Sequence, residues 1–328
     1  MRGHGAAYDG PIGAGPAHRF HTPRSRPIVD AVYARPDPDL IETAADAVEL
    51  SPLVVGSQAI DQQADGAFEA VTVLAPPGVL ERRYVLAHAL RMLAPGGRLT
   101  TLAAKDKGGA RLAKELEAFG CAVQQDARRH HRFCHTVRPD SPVGLESAIA
   151  AGAPQIAPGL GLWSQPGIFS WDRTDPGTAL LMAHLPQLAG AGADFGCGVG
   201  LLARAALRAP AVKQLSLIDI DRRAVEAARR NIDDPRAGFA WRDLRSAGAG
   251  LEGLDFVIMN PPFHDGGEED RGLGGAFIKA AAAALKPKGV CWLVANRHLP
   301  YEALLAPLFP RARQVVRAEG YKIYEARR

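Results

Sequence analysis

Short apolar runs recur along this chain, and segments with the spacing of amphipathic helices lie between them. The runs occupy residues 71–74, 99–104, 191–195, 215–218, 238–241, 254–259 and 290–295. Short apolar runs bounded by Pro, Gly, Asn or Asp are typical of buried strands. Because strands that alternate with helices form a parallel sheet covered by helices, the pattern predicts an α/β fold.

Two parts of the chain carry the same order of predicted elements. In each part an apolar strand ends in Pro-Pro, a helix follows, and a Pro-x-Gly turn leads into the next strand. The matched segments are 71–78 with 256–263, 94–97 with 286–289, and 132–135 with 322–325. The shared turns indicate an internal repeat, with a Pro- and Gly-containing stretch near 140–165 between the copies.

The bulk composition is that of an ordinary globular protein. Of 328 residues, 47% are hydrophobic and 23% are charged, which is enough chain for two domains. The net charge of +4 permits a nucleic-acid partner without requiring one. The four scattered cysteines form no C-x-x-C pair, so we expect a reducing cytoplasm, no disulfide framework and no metal site. The sequence has no uninterrupted apolar run of about 18 residues, so we expect no membrane span.

A glycine-rich loop follows the predicted strand at 191–195. Gly196, Gly198 and Gly200 form a G-x-G-x-G pattern, which differs from the G-x-G-x-x-G of dinucleotide folds and argues against a nicotinamide dehydrogenase. Glycines let backbone N–H groups and a helix N-terminus approach a ligand closely. We therefore predict that this loop binds a nucleotide-like cofactor.

Three acidic residues lie at or just after the ends of successive predicted strands. Asp219 closes the strand at 215–218, where its carboxylate could accept ribose hydroxyls. Asp243 follows the next strand and could accept an adenine amino group, although a turn role would also explain it. Asp194 could hold the ammonium of an amino-acid moiety. Asp221 could be only a helix N-cap.

The strand at 254–259 ends in the run Asn260-Pro261-Pro262-Phe263. An exocyclic amine is a weak nucleophile because its lone pair is delocalised into the ring. The Asn260 side-chain oxygen and the Pro261 carbonyl could accept its two N–H groups and orient that lone pair, while Phe263 could stack on the planar substrate. Together with the glycine loop, this run predicts methyl transfer from S-adenosylmethionine to nitrogen.

Other candidates have weaker support. His264 could contact the substrate or be a loop histidine, and Phe169 lies in a segment that could cross over the cofactor. The segment 175–178 could cap a helix, which alone would explain its composition. The basic strip at 128–132 could contact RNA backbone or be a solvated edge strand.

The first copy departs from the second where the chemistry would lie. Ala75 stands at the position of Asn260, and Gly78 stands at the position of Phe263. We find no glycine loop after a strand in the first copy. We therefore interpret it as a copy that has lost its active site.

The chain resembles the ribosomal RNA small-subunit guanine-N2 methyltransferases. The resemblance rests on residues 167–170, 175–178, 194–200, 260–266, 294–296, 299–301 and 320–324. It implies two tandem Rossmann-like methyltransferase folds, the first degenerate and the second a seven-stranded, mostly parallel sheet. It also implies S-adenosylmethionine as cofactor and N2 of a guanine in ribosomal RNA, or in a ribosomal subunit, as methyl acceptor.

The predicted organisation is a flexible tail at 1–27, a degenerate domain at 28–155 and a catalytic domain at 156–328. The alternatives are methyl transfer to protein glutamine, adenine or a small molecule, and a non-catalytic RNA-binding assembly factor. The predicted catalytic residues are Asn260, Pro261, Pro262 and Phe263, with Asn260 also touching the cofactor.

Overall fold

The computed structural model describes residues 29–245, 250–262, 264–265, 268–269 and 271–328. The predicted tail at 1–27 lies outside these residues. Two separate β-sheets form the framework, one built from each copy of the repeat. In the described part of the chain, no helix is long and apolar enough to cross a membrane.

The first sheet and its helices precede residue 153. The strands are β1 Asp30–Tyr33, β2 Val48–Glu49, β3 Phe68–Leu74, β4 Leu93–Ala104, β5 Gln124–Arg128 and β6 His131–Val137. The helices are α1 Val79–Met92, α2 Leu112–Glu117 and α3 Leu145–Gly152.

The second sheet follows a small hairpin of β7 Gln155–Ala157 and β8 Leu162–Ser164. Its strands are β9 Gly190–Phe195, β10 Val212–Asp219, β11 Ala237–Trp241 and β12 Leu254–Met259, then β15 Leu285–Asn296, β16 Arg311–Ala318 and β17 Tyr321–Arg327. A two-stranded ribbon of β13 His264–Asp265 and β14 Glu268–Glu269 lies between β12 and β15. The helices are α4 Pro176–His184, α5 Leu201–Leu207, α6 Arg222–Asn231, α7 Arg271–Ala284 and α8 Tyr301–Leu305.

The order of the second sheet determines where a ligand can bind. The strands run β11-β10-β9-β12-β15-β17-β16, and only the contacts of β17 with its two neighbours are antiparallel. The chain leaves β9 toward β10 and later returns on the other side of β9 as β12. This reversal opens a crevice at the carboxyl ends of β9 and β12, which is where open α/β sheets bind ligands.

The apolar run in β12 is buried because helices cover both faces of the sheet. Phe256 and Ile258 pack into the cluster on one face, and Val257 and Met259 pack into the cluster on the other. All four are at most 1% exposed. Alternate residues of a strand point to opposite faces, so a strand buried on both faces is apolar throughout.

The first sheet repeats this order and confirms the predicted duplication. Its strands run β2-β1-β3-β4-β6-β5, so β3 corresponds to β12, β4 to β15 and β6 to β17. Among the described strands of the second sheet, only β11 lacks a counterpart in the first sheet. The predicted fold class, with two tandem Rossmann-like sheets, is therefore confirmed. The predicted division after residue 155 falls at the start of the β7–β8 hairpin and stays a prediction.

The stretch between the copies is more ordered than its Pro and Gly content indicates. Helix α3 packs on α1 there, and the β7–β8 hairpin follows. Gly152 ends α3 directly against Tyr84, since a Cβ at this position would lie 2.4 Å from the Tyr84 Cβ. The glycine therefore serves as a close-packing contact at the end of a helix.

The position in the first copy that corresponds to the predicted reaction site is filled by a buried arginine. Arg82 is 1% exposed and binds both carboxylate oxygens of Glu115, at 2.7 and 2.9 Å. Its Nη1 also donates to the carbonyls of Pro76 and Pro77 at 3.1 and 2.8 Å. Arg82 is the fourth residue of α1, whereas the fourth residue of α7 is Gly274. The proline carbonyls that could accept a substrate amine are thus occupied in the first copy.

We expect Glu115→Ala to lower the free energy of unfolding by about 3–5 kcal/mol, because it leaves the buried Arg82 charge without its partner. Chemical denaturation followed by circular dichroism measures this loss. Glu117→Ala on the same helix removes an exposed carboxylate and should change stability by less than about 0.5 kcal/mol. Equal effects of the two substitutions would contradict this account of Arg82.

Candidate active site

A cleft of about 310 Å³ lies at the carboxyl ends of β9, β10 and β12. This volume is within the range of small-molecule sites. The lining comprises Leu53, Gly167, Ile168, Phe169, Gly196, Gly198, Asp219, Ile220, Asp221, Ala224, Asn260, Pro261, Pro262 and Phe277. It therefore combines glycines, carboxylates, one amide and apolar side chains from both copies of the repeat.

The glycine loop is tied to the end of β10. The N–H groups of Gly196 and Cys197 donate to the Ile218 carbonyl at 2.8 and 3.1 Å. The N–H of Gly198 donates to Asp219 Oδ2 at 2.9 Å. A Cβ at Gly198 would meet nothing within 4 Å, so open space lies before the loop. This is the close backbone approach that a cofactor needs at such a loop.

Gly200 has a different role from the other two glycines. It is the N-cap of α5 with φ of 91°, and a Cβ would lie 2.9 Å from Ile232 Cδ1. It therefore permits the sharp turn from β9 into the helix.

Two carboxylates lie next to the loop: the partly buried Asp219, which lines the cleft, and the fully buried Asp194. Asp219 Oδ1 accepts the N–H of Asp221 at 2.9 Å, and burial raises the pKa of Asp219 to about 6. Asp194 is fully buried, and neither of its carboxylate oxygens has a hydrogen-bond partner among the described residues. Burial raises the pKa of Asp194 to about 8, and the nearby Asp219 carboxylate adds a smaller upward shift. Burial therefore favours the protonated form of Asp194.

The Asn260 side chain is held in one orientation by α4. Its Nδ2 donates to Asp175 Oδ2 and to Thr178 Oγ1, each at 2.9 Å. A carboxylate only accepts hydrogen bonds, so the amide nitrogen must face Asp175. Asp175 is also the N-cap of α4, where its Oδ2 accepts the Thr178 N–H at 2.8 Å. The arrangement leaves Asn260 Oδ1 as the group that can accept from a ligand in the cleft.

The first copy supports one wall of this cleft through a buried ion pair. Arg223 binds both oxygens of Asp221, at 3.0 and 2.8 Å, and its Nη1 donates to Glu81 of α1 at 2.6 Å. The segment 167–169 passes directly over this pair, since a Cβ at Gly167 would lie 2.4 Å from Arg223 Nη1. Gly167 also has φ of 107°, so this position suits glycine for two reasons.

Two exposed apolar side chains stand in the cleft wall. Phe169 is 64% exposed, and Leu53 is 48% exposed. Leu53 comes from the first copy, where the neighbouring Pro52 carbonyl accepts the N–H of Arg222 at 3.1 Å. Exposed apolar groups in a concave wall are typical of surfaces that a planar ligand covers.

Most of the predicted site residues come together here. Seven of them line the cleft, namely Asn260, Pro261, Pro262, Gly196, Gly198, Asp219 and Phe169. Asp194 lies behind the lining, and the described lining does not include Asp243, whose carboxylate is paired with Arg245 at 3.0 Å. Phe263 and the side chain of His264 lie outside the described residues. The ligand contacts assigned to all these residues stay predictions.

Sequence reasoning missed several residues of the cleft. Leu53, Ile220, Ala224 and Phe277 are apolar, and nothing in the sequence distinguishes them from core residues. Asp221 does cap α6, as the sequence suggested, and it also lines the cleft. Asp175 caps α4 and also orients Asn260, and the Thr178 hydroxyl binds the same amide, whereas composition alone indicated only a cap.

Among the side chains that the structure describes, no group of three or more His, Cys, Asp and Glu is placed to hold a metal ion.

Comparisons with known proteins agree with this geometry. The methyltransferase small domain family matches residues 159–325. Two relatives named ribosomal RNA small subunit methyltransferase C come from Shewanella loihica and Pseudomonas aeruginosa. The first is 33% identical over 268 residues, covering 80% of this chain and 78% of that one. The second is 32% identical over 294 residues, covering 87% of each.

A solved structure of the T. thermophilus 16S rRNA N2 methyltransferase in complex with AdoMet and guanosine is also similar. It has a TM-score of 0.73 and 25% identity, covering 93% of this chain and 89% of that one. The fold and the cleft thus define a Rossmann-like methyltransferase. The chain belongs to the ribosomal RNA small subunit methyltransferase C family, as the sequence resemblance predicted.

We expect S-adenosylmethionine, the predicted cofactor, to displace a proton from Asp194 when it binds at pH 7. The raised pKa keeps Asp194 protonated in the free protein, and a nearby ammonium would lower that pKa and release the proton. Calorimetric titration in buffers of different ionisation enthalpy should report release of up to about one proton. The release should fall to near zero above about pH 9 and in Asp194→Asn. Proton uptake, or equal proton release by the wild type and Asp194→Asn, would contradict the predicted contact between Asp194 and the cofactor ammonium.

Proposed function

We propose that this protein transfers a methyl group from S-adenosylmethionine to the N2 exocyclic amine of a guanine in ribosomal RNA. The observation that carries the proposal is the Asn260 amide, which is fixed so that its oxygen remains available in the cleft. The names of the relatives and the guanosine bound by the T. thermophilus enzyme support the same acceptor.

The residues present fit the cofactor. Gly198 leaves room for close backbone approach, and Asp219 retains lone pairs that can accept ribose hydroxyls. Ile220 and Leu53 offer apolar surface to an adenine ring. When bound, S-adenosylmethionine supplies a methyl group activated by its positively charged sulfur.

The chain's own contribution at the reacting nitrogen is alignment. Asn260 Oδ1 and the Pro261 carbonyl accept the two N–H groups of the guanine amine and turn its lone pair toward the donor. Asp175 and Thr178 hold the amide before the substrate arrives. The entropy cost of orienting it is therefore small at the moment of reaction. Two acceptor oxygens also favour the positive charge that develops on nitrogen. The proton can leave after transfer, so the reaction needs no dedicated base.

Planar groups around the cleft suit a base that has left its stack. Phe169 projects an exposed ring into the cleft wall, and we propose that it contacts the guanine. Phe263 and His264 keep the stacking and contact roles that the sequence predicted. A guanine within folded RNA must be unstacked to reach such a site. The partner is therefore ribosomal RNA or a ribosomal subunit, and we propose that the protein acts in the cytoplasm, where ribosomes are assembled.

The direct test of the proposed function is a methyl-transfer assay with labelled S-adenosylmethionine and small-subunit ribosomal RNA. Nucleoside mass spectrometry of the digested product identifies the modified atom. N2-methylguanosine supports the proposal. Label in adenine, in protein glutamine or in small molecules would instead support another N-methyltransferase, and failure to bind the cofactor would favour a non-catalytic RNA-binding factor.

We expect Asn260→Ala to lower kcat for RNA methylation by roughly 10²–10³-fold, because the acceptor that orients the amine is lost. The dissociation constant of S-adenosylmethionine should change less than about threefold, since glycine and Asp219 contacts remain. Single-turnover kinetics and calorimetry measure the two quantities. A parallel loss of cofactor affinity would contradict this prediction, in which Asn260 acts mainly on the substrate amine and contributes little to cofactor affinity.

A substitution at Thr178 tests how the Asn260 amide is oriented while leaving Asn260 itself in place to contact the amine. Thr178→Val removes one of two acceptors for the Asn260 amide at nearly constant volume, so kcat should fall by up to about 10-fold, the equivalent of one net hydrogen bond. Thr178→Ser keeps the hydroxyl and should retain most of the activity. If the valine and serine variants were equally active, Thr178 would not orient Asn260.

A further inference from the structure

The hairpin of β5 and β6 carries a cluster of basic side chains on the first copy of the repeat. Its concavity of about 230 Å³ is lined by Lys105, Ala127, Arg128, Arg129, His130, His131 and Arg132. We refer to these residues as the basic hairpin surface. The active site described above uses none of them.

The tip of this hairpin has an unfavourable backbone conformation. Arg129 and His130 have φ of 46° and 61°, and they connect Arg128 and His131, which face each other across the two strands. Two central residues with positive φ define a turn in which Asn-Gly is strongly preferred. Each residue with a side chain costs about 1 kcal/mol or more in this region. Strained residues of this kind cluster at functional sites, so their side chains are candidates for function.

Contacts with the sheet anchor the hairpin that carries the basic side chains. The Arg128 guanidinium lies 4.3 Å from the centre of the Phe133 ring, and Phe133 is fully buried. The Lys105 N–H donates to the His130 carbonyl at 2.9 Å and ties the tip to the end of β4. Arg129 pairs with Asp39 at 2.8 Å, but both side chains are at least 60% exposed. An ion pair this exposed contributes little stability, so a phosphate could replace Asp39 at low cost.

The basic hairpin surface lies at the same end of the first sheet as the contact with the active site. Ala104, the last residue of β4, faces His131, so the hairpin tip is at the carboxyl edge of this sheet. At the same edge, β3 leads into α1, whose Glu81 binds Arg223 beside the cleft. With strands about 5 Å apart, the tip is on the order of 10 Å along the sheet from the end of β3. An RNA chain of several nucleotides could reach from the hairpin to the cleft.

We propose that the basic hairpin surface binds the phosphate backbone of the RNA that flanks the modified guanine. The inference rests on the proposed function, because it takes the substrate to be RNA. Phosphate contacts supply affinity and register but carry no base sequence information. The degenerate copy would thus hold the RNA while the second copy carries out the chemistry.

The test compares two double variants that remove the same charge. Arg128→Gln with Arg129→Gln removes two neighbouring exposed charges from the basic hairpin surface. Arg98→Gln with Arg311→Gln removes two exposed arginines, of which Arg98 lies at the opposite edge of the first sheet. Binding of a fluorescent small-subunit rRNA transcript is measured at salt concentrations from about 0.05 to about 0.2 M, a range of about four-fold.

We expect the hairpin variant to bind the transcript roughly 10- to 30-fold more weakly near 0.15 M salt, with a salt slope smaller by about 1.4–1.8. Its KM for RNA methylation should rise by a similar factor, while kcat at saturating RNA and the affinity for S-adenosylmethionine stay unchanged. The control variant should change binding less than about threefold. Asp39→Asn frees Arg129 and should tighten binding several-fold, a gain that impaired folding could not produce.

The possible outcomes separate this inference from the proposed function. If the wild-type protein methylates the transcript while the hairpin and control variants bind alike, the inference is wrong and the proposed function stands. If the wild-type protein binds the transcript and small subunits through the hairpin but transfers no methyl group to either, the proposed function is wrong, and of the inference only the phosphate contact stands. If the wild-type protein neither binds nor methylates the transcript, and does neither with assembled small ribosomal subunits, both are wrong.

Discussion

One carboxylate determines what the active cleft can bind. Asp175 caps α4 and accepts a hydrogen bond from the Asn260 amide through the same oxygen. Because a carboxylate only accepts hydrogen bonds, Asn260 must present its oxygen to the cleft rather than its nitrogen. An acceptor at that point selects a ligand with N–H groups. The position of α4 against the end of β12 is therefore the structural condition for chemistry on an amine.

The two copies of the repeat show how a fold can lose one function and keep another. In the first copy, Arg82 donates to both proline carbonyls and is neutralised by Glu115, and Ala75 provides no side-chain acceptor in place of Asn260. The preceding residue, Glu81, binds Arg223 beside the active cleft. Adjacent residues of one helix thus close the degenerate site and support the working one, which makes the first copy a structural part of the enzyme.

Long apolar strands and their carboxyl-end residues could be predicted from the sequence, and so could the repeat. The strands β1 and β2 were not found, because four and two residues give no usable period. Contacts between distant segments were also inaccessible: the bonds from Asn260 to Asp175 and Thr178 span 85 and 82 residues. Leu53 lines the cleft only because the first copy docks on α6. The sequence around a single leucine does not indicate such a position.

The central claim is that Asn260 offers its side-chain oxygen to the amine of a guanine. A crystal structure with S-adenosylhomocysteine and guanosine tests it most directly. The account predicts that Asn260 Oδ1 lies about 3 Å from the exocyclic nitrogen of the base, with Nδ2 still bound to Asp175. A guanine bound with its exocyclic nitrogen away from Asn260, or an amide rotated so that Nδ2 faces the base, would contradict it.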